Sequence, residues 1–144
     1  MSNAIAAYGT LLKIGDGGTS ESFTTIAEVG DIDGPSVEVN AIDVTSHSSA
    51  NAMKEFVAGL IDPGEISFPI NFLPTETTHD DSDGLWADMI ARTLRNFEMV
   101  FPDTSECAFA ALVTAMSLKE PVDDKLSADV TLKISGPIVW TPAT

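Results

Sequence analysis

One cysteine, two histidines, one tyrosine and seven basic side chains are all that 144 residues supply of the groups that most often carry chemistry. Cys107 alone excludes an internal disulfide and any zinc site built from several cysteines. Its surroundings, Ala108-Phe109-Ala110-Ala111-Leu112, suit an inert buried thiol. A chain of this length is most economically one domain, and it buries roughly 68–70% of its unfolded surface, so its core needs no cross-link or metal. No run approaches the roughly 18 uninterrupted apolar residues of a membrane span. Met1 to Thr10 lacks the basic region and long apolar stretch of a signal peptide.

The shortage of bases carries the most information. Lys13, Lys54, Arg92, Arg95, Lys119, Lys125 and Lys133 stand against 22 acids, for a net charge of −15 and an isoelectric point near 4.1. Proteins that hold nucleic acid neutralise phosphates with clustered Lys and Arg, and here the bases are few and scattered. The composition therefore argues against affinity for DNA. The acids are scattered too, apart from Asp80-Asp81-Ser82-Asp83, as on a solvated surface.

Candidate chemistry fails on spacing. His79 to Gly84 has the glycine of a calcium loop in the sixth place, but His79 stands in the first and Ile90 where the twelfth requires a bidentate Glu. Helix capping by Ser82 or Asp83 accounts better for the segment. Gly15-Asp16-Gly17-Gly18 has no following Gly-Lys-Ser/Thr and suits a hairpin turn. His47 among Ser46, Ser48 and Ser49 shows no triad pattern, and His47 and His79 are expected to be polar loop residues. No nucleophile elbow or matched acid–base pair appears, so enzyme activity and a cofactor are not expected.

The chain is patterned mostly as strand. Tyr8 to Ile14 and Phe23 to Val29 suit two short strands, each closed by Gly and Asp. Val37, Val39 and Ala41 alternate, and at Ala41-Ile42 the parity shifts, which predicts a bulge or a change of sheet. Ile66, Phe68, Ile70 and Phe72 alternate without a break, sending both phenylalanines inward. Pro69 among them lacks a ladder donor and belongs at a strand edge or bulge. Leu85, Trp86, Met89, Ile90, Leu94 and Phe97 share a helical stripe, which predicts one helix over about 84–96 with an Asp88–Arg92 pair outside the stripe. Phe97, Met99 and Phe101 alternate again. Cys107 to Leu118 is apolar with an ambiguous period that its alanines would also allow as helix. Leu126, Ala128, Val130, Leu132 and Ile134 form the cleanest amphipathic strand, and Ile138 to Thr141 a last short one. Short strands with one helix and no βαβ alternation give a mainly β fold, a β-sandwich or barrel with a flanking helix.

Order and spacing along Val44 to Leu73 add a resemblance. Thr45-Ser46-His47-Ser48-Ser49, then Lys54-Glu55-Phe56-Val57-Ala58-Gly59-Leu60, a Pro63-Gly64 turn and the alternating strand from Ile66 resemble the major tail tube proteins of long-tailed phages. Asp123 to Trp140 is similar to that family's last hairpin. The resemblance favours strand over helix for Cys107 to Leu118, and a fold shared with the tube subunit of type VI secretion. It implies one tail tube domain over 1–144 that self-assembles as stacked hexameric rings. DNA would cross such rings without specific binding. The partners implied are other copies of the chain and the tape measure, tail terminator and tail tip proteins. No membrane is involved, and the protein would be made in a host bacterial cytoplasm and reside in the virion tail.

Residues 40–62 are long for a loop and too apolar at Phe56, Val57 and Leu60 to stay solvated, so with Lys54 they are the expected subunit interface. Glu38, Asp43, Glu65 and Asp129, alternating against apolar neighbours, are the candidate acids of a channel wall. A type VI secretion-like tube subunit is the alternative within the same architecture. A virion β-sandwich binding module is another, and it would usually display an aromatic platform that 7% aromatic content does not suggest.

Overall fold

A computed structural model describes residues 4–18 and 20–142. The strands are β1 (Leu11–Gly15), β2 (Phe23–Thr25), β3 (Glu38–Asp43), β4 (Phe56–Asp62), β5 (Glu65–Asn71), β6 (Arg95–Val100), β7 (Glu106–Lys119), β8 (Ser127–Ile134) and β9 (Val139–Thr141). Among the described residues one α-helix, α1, spans Leu85–Ala91. Seven strands form one antiparallel sheet in the order β2-β1-β6-β7-β8-β5, with β9 also on β7, while β3 and β4 form a separate two-stranded hairpin. The fold is mainly β with one flanking helix, as the periodicity predicts, and the sheets are not closed.

Strict alternation makes the large sheet two-faced. In β5 and β8, Ile66, Phe68, Ile70, Ala128, Val130, Leu132 and Ile134 are buried, and the residues between them face outward. The same inner face collects Leu12, Ile14, Phe97, Met99, Cys107, Phe109, Ala111 and Val113. Phe97 and Phe109 stack within it, and burial pushes the Cys107 thiol upward in pKa, so it stays protonated and inert. The chain beyond β2 then swings across to the far end of the sheet. Val29 bridges Ile70 and Asp33 bridges Ser67, so the sheet curls towards a barrel.

Contrary to the expectation of a strand edge or bulge, Pro69 sits mid-ladder in β5, between the Phe68↔Val130 and Ile70↔Ala128 pairs and with no register shift, although β5 is the last strand of that path. Ser67, Pro69 and Asn71 turn their backbone groups away from β8, toward Glu28, Gly30 and Asp33, so the missing N–H removes no bond of the β5–β8 ladder. β7 carries its own irregularity, since Val113 to Ala115 spans one residue more than Leu132 to Thr131 opposite.

The helix is shorter than its stripe. It ends at Arg92, which adopts a left-handed conformation at φ 57°, and the chain re-enters the sheet at Arg95. Leu85 is buried, but Ile90 and Leu94 are exposed, and Phe97 belongs to β6. The 84–96 span fails because a period-2 segment, Phe97-Glu98-Met99, follows directly and places its first apolar residue where a fourth helical turn would have one. Neither Ser82 nor Asp83 caps the helix. Gly84 occupies the cap position, and Asp80 Oδ1 accepts the N–H groups of Ser82, Asp83 and Gly84 at 3.2, 2.9 and 3.0 Å. These bonds hold the Asp80 carboxyl below the usual range. Among the described residues no helix is long and apolar enough to cross a membrane.

His79 is not a solvated loop residue. It is fully buried, stacks on Phe72, accepts the Leu73 N–H at Nδ1 (3.1 Å) and lies 2.7 Å from the Ala27 carbonyl at Nε2. An acceptor at Nδ1 requires the proton on Nε2, so the ring ties three loops to the core as a neutral donor–acceptor.

Candidate assembly surface

Residues 40–62 fold as a hairpin arm and not as a loop. β3 and β4 pair from Glu38↔Asp62 to Asp43↔Phe56, and residues 44–55, which include a 3₁₀ segment at Ala50–Ala52, join them. Between Val39↔Ile61 and Ala41↔Ala58 the β4 side holds one extra residue. The bulge expected near Ala41 is therefore real and lies in the partner strand, at Gly59-Leu60.

Polar side chains stitch the tip. Asp43 Oδ1 accepts the Thr45 N–H, Thr45 Oγ1 accepts the Glu55 N–H at 2.8 Å, and Ser49 Oγ donates to Glu55 Oε2 at 2.5 Å. Thr45 also holds the Asp43 carboxyl below its ordinary range. The Thr45 to Ser49 tract thus shapes a turn. Within it, the Ser46 and Ser48 hydroxyls bond to each other.

The base of the arm is fixed at Asp62. Its Oδ1 accepts the Gly64 N–H at 2.9 Å and pairs with Lys133 Nζ at 3.2 Å, which together depress its pKa. Gly64 has φ 82°, and a side chain there would run into the Ser36 carbonyl. The turn from β4 into β5 is therefore tight, and it projects the arm away from the sheet.

What the arm projects is apolar. Val39, Ile42, Val44, Met53, Phe56, Val57, Leu60 and Ile61 are all exposed, Phe56 by 56% and Leu60 by 89%. Both faces of the hairpin show such side chains, and an isolated two-stranded hairpin in water is at best marginally stable. Of the expected interface residues, Phe56, Val57 and Leu60 lie on β4 and Lys54 lies just before it in the connecting segment, and all four are exposed.

The four candidate acids divide between two places. Glu38 and Asp43 stand at the two ends of β3 on opposite faces of the arm. Glu65 and Asp129 stand on the outer face of the large sheet, where Glu65 opposes Lys133, and Asp129 pairs with Lys119 at 2.7 Å. The same outer face holds Lys13 beside Glu98, and burial followed by the nearby Glu106 pushes Glu98 upward in pKa. Three lysines thus temper the acids there. Sequence reasoning missed this because only the strand register brings Lys119 and Lys133 beside them. Among the described residues no group of three His, Cys, Asp or Glu gathers as a metal site.

A concavity of about 1070 Å³ lies elsewhere, against Ile5, Tyr8, Val29, Met99, Phe101 and Trp140. Phe101 and Trp140 stack in its wall.

Comparison with known proteins agrees with this geometry. The tail of a gene transfer agent particle, solved with six-fold symmetry, holds a chain similar to this one with a TM-score of 0.77 at 21% identity, covering 96% of this chain and all of that one. A chain from the sheath/tube terminator of an extracellular contractile injection system superposes at 0.72 with 12% identity over 99% of both. The SPP1 tail tube superposes at 0.69 with 9% identity, covering 95% of this chain and 78% of that one. At these identities the likeness is one of fold. No curated protein sequence matches the chain. The sequence profile of the lambda phage tail tube protein family matches residues 10–141, nearly the whole chain, and the protein belongs to that family as a tail tube subunit of the virion.

Proposed function

We propose that the chain acts as one tube domain, polymerising through its hairpin arm into stacked hexameric rings whose channel passes DNA into the host without binding it. One observation carries this reading. A two-stranded arm with Phe56, Val57 and Leu60 exposed has no strand partner among the described residues, and burial of such a surface needs another subunit. The role is structural and requires no catalysis or cofactor. Other copies are the main partners, and the tape measure, terminator and tip proteins meet the ends of the stack.

The charge fits passage. With a net charge of −15 on each subunit, DNA meets repulsion of its own sign on the approach to the rings. Glu65 and Asp129 on the sheet's outer face are the acids best placed for a channel wall, moderated by Lys119 and Lys133. Sedimentation velocity over rising concentration tests the reading. A species of six chains, and larger multiples, supports it. A monomer at every concentration favours a virion binding module. A secretion-like tube subunit would give the same rings, and failure to retain a phage tail function in a complementation assay would mark it out.

A further inference from the structure

The cleft of about 1070 Å³ takes no residue of the arm into its walls. Parts of segments 5–10 and 29–34 line it, together with Met99, Phe101 and Trp140. Its frame is fixed within one chain. Gly30 N–H donates to the Pro69 carbonyl and Asp33 N–H to the Ser67 carbonyl, both at 2.8 Å, so the stretch carrying Asp31 and Ile32 is fastened to β5 on either side. Trp140 is held by its pairing opposite Cys107 and by the stack with Phe101, yet its side chain stays more than half exposed. Ile5 and Tyr8 are exposed beside it, the tyrosine by 96%. Single apolar side chains in water are ordinary, but several collected on one concave surface mark a binding site. Charge in the cleft has one sign. Asp31 and Asp103 line it and none of the seven bases does. Asp103 is engaged, accepting the Ser105 N–H and hydroxyl at 3.0 and 3.1 Å. Asp31 is exposed, and its carboxylate has no hydrogen-bond or ion-pair partner among the described residues.

We infer that this cleft docks a short segment of a different protein, one that carries an aromatic or aliphatic side chain next to Lys or Arg. Its volume stands above the roughly 300–1,000 Å³ of small-molecule pockets, which suits a stretch of chain over a metabolite. The apolar side chain packs against Phe101 and Trp140, and the base meets the Asp31 carboxylate, with the indole and the Tyr8 ring as further faces for its cation. A second copy of this chain fits poorly. Each copy brings a net charge of −15, and four of its bases already face acids, Arg95 with Asp88, Lys119 with Asp129, Lys133 with Asp62 and Lys13 opposite Glu98. Of the others, Lys54 adjoins Glu55 and Lys125 adjoins Asp124. Complementary charge therefore comes from another protein. The cleft is complete in one chain, so docking there does not depend on the tube reading.

Fluorescence anisotropy of a dye-labelled hexapeptide, Arg-Phe-Leu-Arg-Phe-Leu, titrated with the dilute full chain at physiological ionic strength tests the site. Saturable binding is expected. Asp31→Asn and Trp140→Ala are each expected to weaken it by about tenfold or more. Asp31 is exposed, so its substitution leaves the fold in place, and circular dichroism checks both variants. Glu120→Gln removes an exposed acid beyond the far end of β7 and is expected to leave the affinity unchanged. The same peptide with Glu in place of Arg is expected to bind at least about tenfold more weakly. No saturable binding of the basic peptide would overturn the site. An equal loss from Glu120→Gln would overturn it in favour of general attraction to an acidic surface, and equal binding of the Glu peptide in favour of apolar adsorption alone. A peptide that binds the dilute chain but is excluded from assembled rings would give the cleft to a second copy and overturn the docking of a different protein.

Discussion

Arg95 and Asp88 meet at 2.6 Å between the start of β6 and the middle of α1, and the same guanidinium donates from Nε and Nη2 to the Gly15 carbonyl of β1. Helical spacing would give Asp88 to Arg92. Instead Arg92 turns left-handed to end the helix, and Asp88 reaches the next arginine in sequence. Both side chains are largely removed from water, and among the described residues Asp88 Oδ2 has no hydrogen-bond partner. Burial pushes the Asp88 carboxyl up in pKa, with Arg95 opposing the shift.

Arg95→Ala is therefore expected to cost about 3–5 kcal/mol, because it strands a buried carboxylate and frees a carbonyl. Chemical denaturation of the monomer measures it. Asp88→Asn combined with Arg95→Ala should recover part of the loss, and no recovery would show that the charge is not the cause.

Phe68 lies at 2% exposure in β5, surrounded by the inner faces of β5 and β8. Phe68→Ala is expected to cost about 3–5 kcal/mol by leaving a cavity. A thermal midpoint unchanged from wild type would contradict the burial.

Acid should loosen the base of the arm before the sheet. The folded-state pKa of Asp62 is lowered by the Gly64 N–H and then by Lys133, so its contribution is present above its unfolded value of 3.8 and is lost as pH falls through the lower folded value. NMR titration of the Gly64 amide should follow that carboxyl, and Asp62→Asn should abolish the response. Asp88 runs the other way. Its folded pKa is raised, so its contribution is present at low pH and declines as pH rises through the folded value.

Glu65→Lys with Asp129→Lys is expected to make assembled tubes retain DNA at low ionic strength, with retention lost in high salt. Retention equal to wild type would move these two acids off the channel wall.

Much of the sheet was legible because its strands have one wet and one dry face. Ile66 to Phe72 and Leu126 to Ile134 alternate visibly, and both strands appear where the pattern puts them. β3 was legible in part, from the alternation of Val37, Val39 and Ala41, and β4 only as something too apolar to be a loop. Their residues are exposed on both faces within one chain, so no period-2 pattern marks a buried side. His79 gave no signal, since its burial depends on the Ala27 carbonyl and the Leu73 N–H, which lie apart in sequence. The helix end is masked in the sequence because a period of 3.6 and a period of 2 share Phe97. Lys119 and Lys133 became neighbours of Asp129 and Glu65 only through register, which sequence alone does not fix.

Electron microscopy of the purified chain beside Phe56→Asp and Leu60→Asp variants addresses assembly through the arm most directly. Both side chains are exposed in the single chain, so neither substitution should unfold it, and circular dichroism and the denaturation midpoint are expected to stay at wild-type values. Wild type is expected to form six-fold rings and tubes. Each variant should remain a folded monomer, because a charge placed in a desolvated contact costs several kcal/mol. Tubes of normal yield from a well-folded Phe56→Asp and Leu60→Asp pair would contradict assembly through the arm.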